Sequence, residues 1–460
     1  MTKATRREWI GLAVIALPCL LYSMDLTVLN LALPAVAADL QPSPVQLLWI
    51  IDVYGFLVAG ALIPMGTLGD RVGRRRLLLV GAALFGAASV FAAFAKSAEM
   101  LILARALLGL AGATIAPSTL SLIRNMFRDP QQRAFAVGIW ISSYSVGAAI
   151  GPLLGGVLLE FFWWGSVFLL ALPLMVMLLA VGPALLPAYK DPNAGRVDLP
   201  SAALSLSAVL CVIFGLKEMA QHGIGALSSL AVIVGVALGW IFVQRQKRLA
   251  DPLIDLALFR APSFSAALAF YTLGTFVSFG IFVFMTQYLQ LVLGLSPLVA
   301  GLWTVPFALG FVAGSMLAPR LSRRWGVPGV MAGGLAVAAL GYLMVTQVHR
   351  AEGAWLVALG MVVQSVGMAP LFTLTNDLII GSAPPERAGA ASGISETASE
   401  LGGALGIALF GSLATAVYGA ALAPATVLKG LQLTAILCTA IVAAMALVVL
   451  TRFRPARVAA

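Results

Sequence analysis

Gly66-Thr67-Leu68-Gly69-Asp70-Arg71-Val72-Gly73-Arg74-Arg75-Arg76 is the stretch on which the reading of this chain turns. An apolar run, 45–68, leads into it and another, 77–95, leaves it. Each run is long enough to cross a bilayer as a helix, which takes about 20 residues. The basic segment is therefore a tight turn between two membrane helices, placed on the cytoplasmic side by the excess of positive charge that such loops carry. Gly66 and Gly73 permit close backbone approach and positive φ, Asp70 offers an acceptor at the helix mouth, and four arginines stand within its reach.

The rest of the chain agrees with that placement. Of its 460 residues 61% are hydrophobic and only 10% charged, against about 25% charged in soluble domains. Long continuous apolar runs without period-two alternation exclude a β-barrel and leave an all-α polytopic membrane protein. The net charge of +10 lies in short loops and forms no basic stripe, so nucleic acid is excluded as a partner. Cys19, Cys211 and Cys438 lie in apolar runs without paired or metal-like spacing and read as buried thiols. The N-terminal stretch has a basic start and an apolar middle but no small-x-small cleavage site, and reads as a retained first helix.

Hydropathy divides the chain into fourteen spans: 9–35, 45–68, 77–95, 100–123, 134–159, 165–186, 199–216, 224–243, 264–288, 297–318, 328–348, 354–380, 388–418 and 430–451. With the N-terminus inside, every lysine and arginine except Lys96, Lys217, Arg350, Lys429 and the intramembrane Arg105 falls on the cytoplasmic side. An even number of spans with both termini cytoplasmic follows. Leu317 to Arg324 repeats the L-x-x-R-x-x-R-R skeleton of Leu68 to Arg75, and Gly402, Gly406 and Gly411 echo the glycines 147–156. The implied plan is 6+2+6: a six-helix bundle over 1–190, two inserted helices and a cytoplasmic linker over 191–262, and a second bundle over 263–460. The substrate path then lies between the bundles near the midplane. The linker 244–263 reads as an interfacial amphipathic segment without identifiable chemistry.

Ionisable residues inside a bilayer are costly and mark pathways by default. Asp25 in the first span, Asp52 in the second and Arg105 in the fourth all fall in the outer half of the membrane. A carboxylate raised by desolvation and lowered by a nearby cation can gain and lose a proton near neutrality; the alternative is a static ion pair that fixes packing. Glu396 and Glu400 stand at i and i+4 on one face of the thirteenth span, like-charged and so pushed toward sharing a proton. Asp377, near the inner end of the twelfth span, either faces the cavity mouth or pairs with Arg387 across the loop. Trp49, Tyr54, Trp140, Tyr144 and Phe372 could stack on a cation, but membrane rings mostly anchor or pack, and they are not assigned to the site. The pattern Gly147-x-x-x-Gly151-Pro152-x-x-Gly155-Gly156 lets a neighbouring helix approach closely and permits a bend.

The G-x-L-x-D-R-x-G-R-R turn resembles the loop signature of the major facilitator superfamily of secondary transporters. Asp25-x-Thr27-x-x-Asn30-x-Ala32-Leu33-Pro34 and Trp49-x-x-Asp52-x-Tyr54 resemble motifs of its fourteen-helix drug:proton antiporters, the QacA and SmvA type. Arg105 resembles the family's intramembrane arginine, the 147–156 glycines its antiporter motif, and Glu396 and Glu400 its acidic cluster, here with only two members. The resemblance implies an MFS fold of fourteen helices in the bacterial cytoplasmic membrane, acting as a monomer without a cofactor. Asp25, Asp52 and Arg105 would couple protons; Glu396, Glu400 and Asp377 would bind substrate. Gly66, Asp70, Arg71, Gly73 and Arg74, with Gly147, Gly151, Pro152, Gly155 and Gly156, would govern conformational change. The implied partners are hydrophobic cations such as quaternary ammonium compounds and dyes, protons and membrane lipids. An alternative cargo is an endogenous metabolite, lipid or siderophore, the carboxylates then serving protons alone. No G-x-x-x-x-G-K-[ST], H-E-x-x-H or G-x-S-x-G occurs, so an enzyme is not expected.

Overall fold

The structure, a computed structural model, describes residues 4–188, 198–249, 252–295, 297–348, 353–384, 387–418 and 424–452. Within its helices the side chains of Thr27, Asn30, Pro34, Asp52 and Pro152 fall outside the described residues, as do Lys190, Arg196 and Arg350 altogether. Among the described residues there are helices and no strands.

The first group is α1 (Arg6–Leu40), α2 (Pro44–Val72), α3 (Arg74–Ala93), α4 (Ala98–Gly112), α5 (Ile115–Met126), α6 (Pro130–Phe161), α7 (Ser166–Leu169) and α8 (Ala171–Leu185). Their starts are written in the sequence. Ser43 and Gln46 form a reciprocal capping box with Pro44 in the first turn of α2. Asp129 Oδ1 accepts from Gln131 N and Gln132 N at the head of α6. Gly73, at φ 104°, ends α2 and starts α3 with no residue between, a backbone conformation that favours glycine.

Two expected single spans are broken. The run 100–123 divides into α4 and α5 at Ala113–Thr114, because Pro117 cannot donate to the carbonyl of Ala113 and its ring crowds that turn. Pro173 acts in the same way on Leu169 between α7 and α8.

Next come α9 (Leu199–His222) and α10 (Ala226–Gln246), packed against each other. α10 is the least buried of the apolar helices. Leu227, Leu230, Ile233, Val236 and Trp240 are exposed along it, as a helix facing lipid tails requires. α9 sits against both α2 and α14 (Ala388–Tyr418): Val209 and Ile213 pack with Phe56 and Ala59, and Leu401 and Ala404 close on the same cluster.

The linker after α10, expected as an interfacial amphipathic segment, has one buried side. Leu253 and Ile254 are buried, and their N–H groups donate to Gln246 Oε1 at 2.7 and 3.4 Å. Gln246 Nε2 in turn donates to Ser201 Oγ of α9, and Thr67 Oγ1 of α2 donates to the Leu253 carbonyl at 2.9 Å. A buried backbone must satisfy its polar groups, and one glutamine and one threonine supply the partners that hydropathy does not record.

The last group is α11 (Pro262–Gln287), closed by a π-helical turn at Tyr288–Val292, then α12 (Pro297–Thr346), α13 (Gly353–Ser382), α14 and α15 (Pro424–Arg452). The spans 297–318 and 328–348 run together as α12, with their division marked by Gly326 at φ 72°. The turn after Leu68 and its repeat after Leu317 thus both pivot on a positive-φ glycine. Eleven stretches among the described residues are long and apolar enough to cross a membrane, the one within α12 being two arms joined at Gly326.

Candidate transport site

Arg105 on α4 is 1% exposed and is the centre of the first cluster. Its Nη1 donates to Asp25 Oδ2 of α1 at 2.5 Å, its Nε to the Ile50 carbonyl of α2 at 3.3 Å, and its guanidinium lies 4.4 Å from the centroid of the Tyr54 ring. A guanidinium held by one carboxylate, one carbonyl and one ring face is desolvated yet compensated on every side. α4 reaches α2 this closely because Gly109 is bare: a Cβ there would stand 2.7 Å from the Tyr54 carbonyl oxygen. Asp52 lies on α2 midway between Ile50 and Tyr54, but its side chain is outside the described residues.

One turn before Asp25 on α1 stands Tyr22, whose hydroxyl donates to Glu400 Oε1 of α14 at 3.5 Å. Its ring lies 6.0 Å from Tyr54 and 5.7 Å from Tyr144 of α6, and Tyr144 meets Trp140 at 4.9 Å. The sequence reading did not single out Tyr22; the signal available was its i−3 spacing from Asp25, which puts both on one helix face. Glu396, one turn before Glu400, has its Oε1 shut off from solvent and without a hydrogen-bond partner among the described residues. Beside it Ser395 donates to Asn376 Oδ1 of α13 at 2.8 Å. Rings continue through the second group of helices, Tyr271 to Phe372 at 5.6 Å and Phe372 to Phe311 at 5.8 Å. The two α14 carboxylates therefore border an interior rich in π faces, which attract desolvated cations.

The glycines of α6 hold α1 in place. A Cβ on Gly147 would come within 2.1 Å of the Leu20 carbonyl oxygen, and one on Gly155 within 3.0 Å of a Val28 methyl. Tyr22 and Asp25 lie on the α1 segment between those two contacts. Gly151, between them on α6, is buried, Gly156 is half-buried, and the Pro152 side chain is outside the described residues. α14 and α11 repeat the arrangement: Gly402 faces the Thr272 carbonyl and Gly406 the Phe276 carbonyl, at 2.5 and 2.0 Å from where a Cβ would be. The sequence echo between the two glycine runs thus corresponds to two equivalent packings.

At the basic end, Asp70 joins the two halves of the chain. Its carboxylate accepts from Arg74 Nε and Nη2, both at 2.8 Å, and from the backbone N–H groups of Gly389 (3.0 Å) and Ala390 (2.9 Å) in the first turn of α14. An anion at a helix N-terminus satisfies otherwise orphaned donors and meets the positive end of the helix dipole. The helices touch there because Gly66 is bare; its Cβ would lie 2.3 Å from the Gly389 carbonyl oxygen. Arg71 and Arg74 are buried.

Asp377 has a different partner from the one considered in the sequence. Its oxygens pair with Arg133 Nε at 2.5 Å and Nη2 at 3.5 Å, tying α13 to the first turn of α6, and Arg387 instead donates to the Pro252 carbonyl. Arg133 is 244 positions from Asp377 in sequence, so loop proximity gave no hint of it. Asp377 belongs with the ties of the basic end, alongside Arg124, which donates to the Gly381 and Ala383 carbonyls.

Buried charges in helix interiors, glycine-faced packing and a carboxylate held at a helix N-terminus across the two halves make up the interior of a polytopic helical bundle. The family profile of the Major Facilitator Superfamily matches residues 15–407 and again 265–460, and the chain belongs to that superfamily. It is similar to the "Multidrug efflux pump LfrA" of Mycolicibacterium smegmatis, 45% identical over 418 residues that span 91% of this chain and 83% of that protein. It is also similar to the "Methyl viologen resistance protein SmvA" of Salmonella typhimurium, 36% identical over 90% of this chain and 84% of that one. Among solved structures, the human organic anion transporter MFSD10 (TETRAN) superposes with a TM-score of 0.66, covering 95% of this chain and 99% of its own at 16% identity, a likeness of fold alone.

Proposed function

We propose that the protein is a proton-coupled exporter of lipophilic cations, working by alternating access between two six-helix bundles with α9 and α10 as an inserted pair. Counted with the two arms of α12, and with α4–α5 and α7–α8 each as one span, the helices amount to fourteen crossings in this reading. The basic end is then cytoplasmic, by the positive-inside bias. The observation that carries the reading is the buried Arg105–Asp25 pair, linked through Tyr54 and Tyr22 to Glu400 on the opposite bundle. Asp25 takes the proton; Glu396 and Glu400, among aromatic faces, hold the cation. Similarity to proteins named for multidrug efflux and methyl viologen resistance supports the cargo class. Exchange of one proton for one monovalent cation moves no net charge, so the pH gradient drives it, with about 1.4 kcal/mol and about a ten-fold concentration ratio per pH unit.

The test is proton release from detergent-solubilised protein on addition of tetraphenylphosphonium, ethidium or a neutral drug. Release with the two cations and not the neutral compound is expected. Binding of the cations with an affinity unchanged from pH 6 to pH 8.5, and no proton released, would refute the reading. Asp25→Asn should abolish pH-driven efflux, and Glu396→Gln or Glu400→Gln should weaken cation efflux in cells while the protein still reaches the membrane.

A further inference from the structure

Asp25 and Glu400 sit on different helices of different halves, and antiport demands that each respond to the state of the other. We propose that Tyr22 is the positioning residue that carries the protonation state of Asp25 to Glu400, by holding the Glu400 carboxylate only while Asp25 holds Arg105. The inference rests on the reading of Asp25 as the proton site and Glu400 as a cation site.

Three features of the geometry support it. Tyr22 and Asp25 are one turn apart on α1, so a shift or rotation of that segment moves both together. The segment lies between the close α6 contacts at Gly147 and Gly155, which set Tyr22 and Asp25 in one stretch packed on a single neighbour. The Tyr22–Glu400 bond, at 3.5 Å, is at the outer limit of a hydrogen bond, so a displacement of a few tenths of an ångström ends it.

Tyr22 also touches the proton cluster sideways. Its ring leans on Tyr54, and Tyr54 carries the Arg105 guanidinium on its face. The Tyr54 hydroxyl is buried with no hydrogen-bond partner among the described residues. Tyr54 therefore takes part through its ring, and the hydroxyl that crosses to the other half is that of Tyr22. Among the described residues, the ionisable groups facing this unit are Arg105 of α4, Tyr54 of α2, Tyr144 of α6, and Glu396 and Glu400 of α14, while the side chain of Asp52 on α2 lies outside them; α7 and α8 contain none.

The sequence of events follows. With Asp25 ionised, its bond to Arg105 fixes α1 against α4, and the Tyr22 hydroxyl orients the Glu400 carboxylate for the cation. When Asp25 takes a proton, the charge that held Arg105 is gone while Arg105 keeps Ile50 and Tyr54. α1 is released from α4, the Tyr22 bond opens, and Glu400 loses the Tyr22 hydroxyl as a donor. Cation affinity falls on proton uptake, the sign that exchange needs.

The experiment measures the Kd of tetraphenylphosphonium at pH 8 for the full-length protein, Asp25→Asn, Tyr22→Phe and the double variant. Asp25→Asn imitates the protonated acid and is expected to weaken binding about five-fold or more, the lower end of ordinary coupling between sites. In the Tyr22→Phe background the same substitution should change Kd by less than about two-fold, because the messenger is already removed. Tyr22→His, which keeps a ring donor, should restore part of the difference. An Asp25→Asn effect of the same size with and without the Tyr22 hydroxyl overturns the relay while leaving both sites standing. No effect of Asp25→Asn on Kd even with Tyr22 intact, together with retained pH-driven efflux, overturns the proton site and the relay together. Should Tyr22→Phe not survive extraction, the same four-way comparison is read as tetraphenylphosphonium Kd on isolated membranes containing each variant, without detergent.

Discussion

Replacing Asp70 with asparagine should unlatch the basic end. The carboxylate accepts four hydrogen bonds, two from Arg74 and two from the first-turn N–H groups of α14, in a site where Asp70 is 4% exposed. Asparagine keeps the shape and one acceptor oxygen but turns the other acceptor into a donor and removes the charge that Arg74 and the helix N-terminus face. Hydrogen bonds to charged groups contribute about 1.5–3 kcal/mol each, and breaking one partner of a buried pair costs about 3–5 kcal/mol. A loss of about 3 kcal/mol confined to the latched state moves the balance between latched and open forms about 150-fold. Spin labels at Val72 of α2 and Pro384 ahead of α14, both exposed, report the separation. The expected result is a longer distance population in Asp70→Asn, with slowed efflux. Distance distributions and transport identical to the parent protein would refute the assignment of Asp70 as a latch.

Gly147→Leu should force α6 away from the Leu20 carbonyl, since even a Cβ would stand 2.1 Å from that oxygen; overpacking of this kind costs about 1–3 kcal/mol, read as a lower melting temperature in detergent and lost efflux. Arg133→Asp or Asp377→Arg alone should impair transport by stranding a half-buried charge. The paired exchange Arg133→Asp with Asp377→Arg should recover part of it in a double-mutant cycle, and strictly additive losses would remove the α6–α13 tie. At the foot of α9, the hydrogen bond from Arg245 holds the Asp198 carboxyl below the usual carboxylate range. Its contribution is therefore present above that range and lost as pH falls through the lowered value. The mobility of a spin label at the exposed Lys247 should be flat from pH 5 to pH 8 in the parent and raised throughout in Asp198→Asn.

Composition and hydropathy are local quantities, and what they govern was legible from the residues alone. Long apolar helices, a glycine pivot at Gly73, the repeat of the basic turn at 317–324 and a family resemblance carried by the 66–76 turn all follow from residue type and spacing. The close-approach role of Gly147 and Gly155 was equally readable, because a missing Cβ has the same consequence wherever a helix packs. Proline breaks at Pro117 and Pro173 were present in the sequence as well, though masked by unbroken hydropathy.

Partners across the bilayer were decided only by tertiary structure. Nothing near Asp70 in sequence points to the N–H groups of Gly389 and Ala390, 319 and 320 positions away. Asp377 had a plausible neighbour in Arg387 and chose Arg133, and the linker after α10 became buried because Gln246, Ser201 and Thr67 were brought to it. Tyr22 is one membrane aromatic among many until α14 is set against α1 and its hydroxyl meets Glu400. The apolar effect that makes each span a helix is indifferent to which neighbour it gains. In lipid that choice falls to bare glycine backbones and the few polar groups that must find one another.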